Sequence, residues 1–353
     1  MELTSADWER LRELRDDFLE AGSRERAVLL RDYWASRRDL ELYDCTFGAR
    51  IGWKWCAVLG EIRLRGLEPP PGTLLDWGCG TGIASRAYAS AFGAARITRL
   101  ALRDRSEAAE SFARERVQAD HPAIEVEDER ASRAKEIGAD VLLVSHVLAE
   151  LDERGENELL AIARASRWVV WVEPGTHAVS RRLSALRDRL RDAFEPLAPC
   201  THDAACGMLA AGREKDWCHH FARAPQEAHR SRHWSMFARE LGVDLRALPY
   251  SFLVLARRGE RARADRNGTS RILGRPRIEK ARARIDACDR EGVHAWTLLE
   301  REDKALFKML GDSAGECLLF DWRIEGERIR EPRRAIGVEQ DEERASPPPE
   351  SAP

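Results

Sequence analysis

Residues 74–82 read LLDWGCGTG, an apolar pair and an acid followed by three glycines at alternate positions. An apolar start suits a short buried strand, and the glycines let the backbone turn tightly and approach a ligand. The run that follows, TGIASRAYASAF, has the composition of a helix entered through the glycines. Asp76, Gly78, Gly80 and Gly82 therefore spell D-x-G-x-G-x-G between a strand and a helix. This is not the dinucleotide fingerprint G-x-G-x-x-G, because the third glycine comes one residue early and an acid precedes the first. Beyond the loop the pattern keeps alternating. ARITRLALRD, AIEVED, ADVLLVSHVL and RWVVWVEPG read as strands, and SEAAESFARERVQAD, NELLAIARAS and SRRLSALRDRLRDA read as helices. FEPLAP (194–199) and YSFLVLARR (250–258) read as two late strands separated by a long insertion, 199–249. Strands joined by crossover helices predict an α/β domain over 70–258, with a mostly parallel sheet covered on both faces.

The flanks differ. LEPPPGT (67–73) cannot continue a helix, so it bounds a helical N-terminal region, 1–66, in which Cys45 and Cys56 are expected as core residues. Residues 257–284 hold ten Arg and one Lys against Glu260, Asp265 and Glu279, and read as a basic linker. That linker leads into a small β-rich, barrel-like appendage, the two together spanning 259–330, and then an acidic, Pro-rich tail, 331–353, expected to be disordered. The whole, 353 residues with 43% apolar content, predicts two or three packed units rather than a disordered chain. No run approaches the roughly 18–20 apolar residues that span a bilayer, which argues against a membrane protein. The amphipathic first segment lacks the apolar stretch of a signal peptide, so a cytoplasmic location is expected. Fifty-eight Lys and Arg nearly balance 61 Asp and Glu, and the formal charge of −3 hides the local +8 of residues 257–284.

The D-x-G-x-G-x-G loop resembles motif I of class I S-adenosylmethionine-dependent methyltransferases. The resemblance implies a Rossmann-like sheet and a glycine turn packed against the cofactor's amino-acid part. It also implies an acid at the end of the second strand on the ribose, a place held by Asp104; a carboxylate can accept from both ribose hydroxyls. Glu127 or Asp128, after the third strand, could meet the adenine. Base-methylating enzymes often carry N/D-P-P-Y/F after the fourth strand. Here that strand runs into SHVLAELD, where Ser145 and His146 are the polar candidates, so no catalytic residue is assigned. Cys79, inside the loop, reads as a tolerated small side chain.

Cys200, Cys206 and Cys218 are spaced C-x5-C-x11-C, and Cys288 follows in ARIDACDREG. Gathered thiolates suggest a soft metal or an iron–sulfur cluster, although the spacing fits neither a zinc ribbon nor the bacterial ferredoxin run. His202, His219 and His220 keep zinc open. Cys317, in GECLLFDW, reads as core.

The glycine loop, SHVLAEL, WVEPGT, APC-x-H-D-x-x-C, WCH, SFLVLARR and RILGRPRIEKARARIDAC together resemble the Rsm22 family, over roughly residues 70–300. Its members are methyltransferase-like proteins of the mitochondrial small ribosomal subunit and their bacterial relatives. The resemblance implies a 4Fe–4S cluster on Cys200, Cys206, Cys218 and Cys288. It also implies the small ribosomal subunit and its rRNA as partners. The family's first cysteine motif usually reads C-P-H-x-x-x-C-P, whereas Thr201 and Gly207 stand at the proline positions here. Arg257, Arg258, Arg271, Arg275 and Arg277 are then the expected phosphate contacts. A cluster would staple the appendage to the sheet, in a chain monomeric when free. The alternatives are an active rRNA methyltransferase and a small-molecule methyltransferase with structural zinc.

Overall fold

The computed structural model describes residues 3–21, 34–127, 138–260, 269–312 and 319–334. The N-terminal region is helical: α1 (Ser5–Ala21), then α2 (Arg37–Tyr43), capped by the Ser36 side chain accepting from Asp39 N. A π-helical turn, Asp44–Gly48, carries α2 directly into α3 (Ala49–Leu64). Trp55, Val58, Leu59 and Ile62 recur at helical spacing on α3 and bury against the sheet. Cys56 falls off that stripe and is exposed, which corrects its expected place in the core, while Cys45 is half-buried.

The sheet comprises β1 (Gly72–Trp77), β2 (Ile97–Arg103), β3 (Val141–Ser145), β4 (Trp168–Pro174), β5 (Phe194–Ala198), β6 (His220–Ala222) and β7 (Leu248–Arg257). Its order is β2-β1-β3-β4-β7-β5, with β6 pairing along β7. The first four strands are mutually parallel, and β7 runs antiparallel to β4, β5 and β6. Among the described residues of the expected strand AIEVED, one bridge forms, Leu100 with Val126.

Helices cover both faces, as the uninterrupted apolar runs of β3 and β4 require. On one face lie α3, α4 (Ile83–Phe92) and α5 (Glu107–Asp120). On the other lie α6 (Glu153–Ala165) and α7 (His177–Arg189). The insertion contains β6, α8 (Gln226–Arg230) and α9 (Arg232–Leu241), with Phe237 and Leu241 of α9 packed on Trp8 and Leu11 of α1.

The C-terminal part is a closed five-stranded barrel of β8 (Ser270–Glu279), β9 (Arg282–Asp289), β10 (Gly292–Leu299), β11 (Leu319–Glu325) and β12 (Arg328–Arg334), in the order β10-β12-β11-β8-β9. Strand β12 lies parallel to β10, and helix α10 (Lys304–Asp312) connects β10 to β11. This is the connectivity of an OB-type barrel. The barrel corrects the linker reading of 270–284, where β8, a turn at Lys280–Ala281 and the start of β9 stand instead. In RARIDACD, Ala283, Ile285 and Ala287 point into the barrel while Arg282, Arg284 and Asp286 point out. Cys317 and most of the expected tail lie outside the described residues. No helix among the described residues is long and apolar enough to cross a membrane.

Candidate cofactor cavity and cysteine site

The glycine loop opens a cavity of about 810 Å³ at the carboxyl ends of β1, β2 and β3, where ligands bind in open α/β sheets. Gly78, Gly80 and Gly82 all have left-handed φ, at 72°, 52° and 74°. Their surroundings differ. A Cβ on Gly78 would lie 2.3 Å from Val147 Cγ1, and one on Gly82 would lie 3.1 Å from Ala113 Cβ, whereas Gly80 has open space. Gly78 and Gly80 line the cavity. Gly82 instead supports the packing of α4 against α5.

Asp104 stands at the end of β2, on the cavity wall. Its Oδ2 accepts from Gly80 N at 2.9 Å and its Oδ1 from Ser106 N at 3.0 Å, so the acid and the loop are held as one unit. Asp76 lies beneath the loop, fully buried, with Oδ2 accepting from Ser85 N and Oγ. Burial pushes its pKa up to about 6. Asp76 thus braces the turn into α4. Glu127 is ion-paired with Arg99, and Asp128 lies outside the described residues.

The opposite wall is helix α3 and the segment after β3. Lys54 Nζ stands 3.1 Å from His146 Nε2, and both residues line the cavity. Burial lowers the Lys54 pKa to about 7 and holds His146 well below its usual value, with the neighbouring Arg50 and Lys54 charges acting in the same direction. His146 itself has φ of 57°, unusual for a side chain of that size and a mark of functional sites. Sequence reading singled out His146 and missed Lys54. The signal was a lone lysine between Trp53 and Trp55 on an otherwise packing helix. Burial also raises Glu150 and Glu173 to about 7.

The insertion is fastened to α7 by two arginines. Arg181 donates to the carbonyls of Met208, Arg213 and Asp216, each at 2.8 Å. Buried Arg187 donates to those of Ala204 and His202. Cys200 follows β5, Cys218 precedes β6, and Cys288 belongs to β9. Cys206, Cys218 and Cys288 pack together around Met208, Leu273 and Val293. Burial first, and then the charges of the other cysteines, push the Cys206, Cys218 and Cys288 thiols up, so all four lie within electrostatic reach. Among the described residues, however, no three Cys, His, Asp or Glu side chains form a group arranged to hold a metal. Instead Cys218 Sγ lies 3.8 Å from His220 Nε2, and Cys288 Sγ 3.5 Å from His202 Nε2.

The five expected phosphate contacts separate. Arg271 is only 3% exposed, bound to Glu61 at 2.7 Å and beside His220 Nδ1, so no phosphate can reach it. This corrects its expected role. Arg257 donates to the carbonyls of Arg164 and Ser166. Arg258 is exposed and pairs with Asp203 at 3.5 Å. Arg275 stacks on Phe221 with its guanidinium 4.2 Å from the ring centre, and Arg277 is exposed.

Residues 49–314 match the family model of the mitochondrial small ribosomal subunit protein Rsm22. No curated protein matches the chain significantly. Among solved structures, an O-methyltransferase family protein from Burkholderia thailandensis is similar at 15% identity and TM-score 0.35, over 72% of this chain and 69% of its own. The N-methyltransferase NodS from Bradyrhizobium japonicum, in complex with S-adenosyl-L-homocysteine, is similar at 13% identity and TM-score 0.35, over 67% of this chain and 96% of its own. The strand order, with an antiparallel β7 between β4 and β5, is that of a class I methyltransferase sheet.

Proposed function

The chain belongs to the Rsm22 family, and from that premise we propose that it is a small-subunit assembly or translation factor. In this reading it binds rRNA, takes S-adenosylmethionine in the glycine-loop cavity and carries a 4Fe–4S cluster. The observation that carries the reading is the cavity itself in a chain of this family. Gly80 leaves room where a side chain would intrude, and Asp104 is fixed beside it by the loop's own amide. The residues present fit the cofactor: an amino-acid end against Gly78 and Gly80, and a ribose against Asp104. When bound, the cofactor supplies an electrophilic methyl group.

The cysteines fit a cluster in kind. They are four soft donors, three of them from the insertion and one from the barrel. Burial disfavours the Arg187 charge, yet the neighbouring Cys200, Asp188 and Cys206 keep that guanidinium protonated, and it would favour thiolates in return. Such a cluster would join the barrel to the sheet edge.

A second reading, an active rRNA methyltransferase, is favoured by the Lys54–His146 pair. With Lys54 titrating near 7 and His146 neutral, the pair can hold a proton released at the cavity wall. Titration calorimetry with S-adenosylhomocysteine tests the first reading, which expects saturable binding lost on substituting Asp104. Transfer of labelled methyl to a defined rRNA nucleotide establishes the second. No binding in calorimetry refutes both.

A further inference from the structure

The helical face that walls the cavity carries charge among apolar neighbours. Phe47, Arg50, Ile51 and Lys54 recur at near-helical spacing from the π-helical turn into α3, and all four line the cavity. Among the described residues Lys54 hydrogen-bonds to the His146 ring alone, at 3.1 Å, and Arg50 makes no hydrogen bond or ion pair, its buried Nε included. The Arg50 guanidinium instead leans on the Phe237 ring of α9, 5.7 Å from its centre, a contact that places the charge without neutralising it.

The surroundings supply no counter-ion. Asp104, Glu110, Glu150 and Glu158 are the carboxylates on the cavity wall, and none of them pairs with Arg50 or Lys54. Burial alone lowers the Arg50 pKa to about 10. Glu173 lies within electrostatic reach of Lys54, but burial raises that acid to about 7. Arg65, Arg187 and Arg271 are buried more deeply, and each is paired with a carboxylate. Half-buried cations one helical turn apart and without such a partner are costly for a fold to keep unless an anion joins them.

The anion's kind follows from the neighbours. A guanidinium fork engages phosphate oxygens in pairs, and an ammonium adds a point charge. Phe47 lines the cavity beside Arg50, and Tyr43, 6.0 Å from Phe47, lines it too, so a flat ring has an aromatic wall to lie against. The cavity extends beyond the glycine loop to Trp34 in the N-terminal region and Val243 in the insertion. Its volume of about 810 Å³ stands near the upper end of the range, about 300–1,000 Å³, of small-molecule sites.

We propose that Arg50 and Lys54 form a phosphate subsite for a nucleotide that shares the glycine-loop cavity with the cofactor. The inference rests on the cofactor reading above and adds to it the chemical class of the second occupant.

The test uses the full chain and needs no turnover. Wild type should melt about 2–4 °C higher in inorganic phosphate than in chloride of equal ionic strength. Arg50→Met keeps the stem's packing on Phe237 and removes an unpaired cation, so it should fold at least as stably as wild type in chloride and lose the phosphate response. Lys54→Met should lose that response as well. Calorimetry with S-adenosylhomocysteine saturating then compares each nucleoside monophosphate with its nucleoside. At least one monophosphate should bind wild type at least tenfold more tightly than its nucleoside, and Arg50→Met should erase the preference. Equal phosphate responses in wild type and variants, or no preference for any monophosphate, overturn the subsite. A variant that loses S-adenosylhomocysteine but keeps methylthioadenosine, which lacks the amino-acid end, assigns the cations to the cofactor's own carboxylate and overturns it too. A wild type that responds to phosphate without binding S-adenosylhomocysteine supports the subsite and refutes the cofactor reading instead.

Discussion

Arg271, on the first barrel strand, donates to Glu61 of the N-terminal helix α3 across 2.7 Å, and both side chains are 3% exposed. Arg65 also pairs with Glu61 and donates to the carbonyls of Leu197 and Pro199, so one carboxylate joins the helical region, the sheet edge and the barrel. Burial opposes the Glu61 charge, but the two guanidiniums hold its pKa below the usual carboxylate value.

The charge count of this triad sets an order of severity. Glu61→Gln strands two buried cations and should cost about 3–5 kcal/mol. Arg271→Met leaves a neutral Arg65–Glu61 pair and should cost clearly less. Denaturant unfolding of the two variants checks this, and equal losses would contradict the triad.

The glycine loop separates strain from occupancy. Gly78→Ala forces a Cβ to 2.3 Å from Val147 at a left-handed φ, so it should destabilise the domain and lower its melting temperature. Gly80→Ala meets no neighbour and adds only left-handed strain of about 1–2 kcal/mol. Its methyl would occupy the cofactor's room. The expected outcome is a folded Gly80→Ala protein binding S-adenosylhomocysteine at least tenfold more weakly by calorimetry.

Glu173 contributes stability that should fall as pH rises from about 4.5 towards 7, against the buried His146 and His220, whose lowered pKa values act in the opposite direction. Glu173 is buried, with Oε1 accepting from Trp171 Nε1 at 2.7 Å and from the amides of Val147 and Leu148. Burial raises its pKa from 4.5 to about 7. Its protonated form is therefore favoured on folding, and this contribution is complete below 4.5 and lost through 7, on the order of 3 kcal/mol. Lys54 has the opposite sign, since its lowered pKa makes folding more favourable as pH rises above 7. Glu173→Gln should flatten the fall between pH 4.5 and 7 in denaturant titrations; an unchanged slope would show that Glu173 does not produce it.

The sheet was legible because β3 and β4 are nearly unbroken apolar runs and the loop between β1 and α4 is rich in glycine. The barrel was legible as a β-rich, barrel-like appendage, but its first strand was not, because Arg271, Arg275 and Arg277 gave residues 270–279 the charge density of a linker. Composition could not show that Arg271 turns inward, because its partner Glu61 lies 210 residues away. The cavity's Lys54 was hidden for the same reason. Only the close pass of α3 over the end of β3 brings it to His146.

Cys288→Ser should loosen the barrel while leaving cofactor affinity unchanged, because β9 belongs to the separate barrel and Cys288 does not line the glycine-loop cavity. Limited proteolysis of protein purified without oxygen reads this, with cleavage expected between the sheet domain and the barrel. A digestion pattern identical to wild type would contradict the stapling role. The same preparation should be brown and lose its colour with the serine.

The central claim, a small-subunit factor held largely by phosphate contacts, is tested most directly by sedimenting the full chain with small ribosomal subunits at rising salt. The account predicts co-sedimentation at low salt and steep release as salt increases. A chain that stays at the top of the gradient at every salt concentration would contradict it.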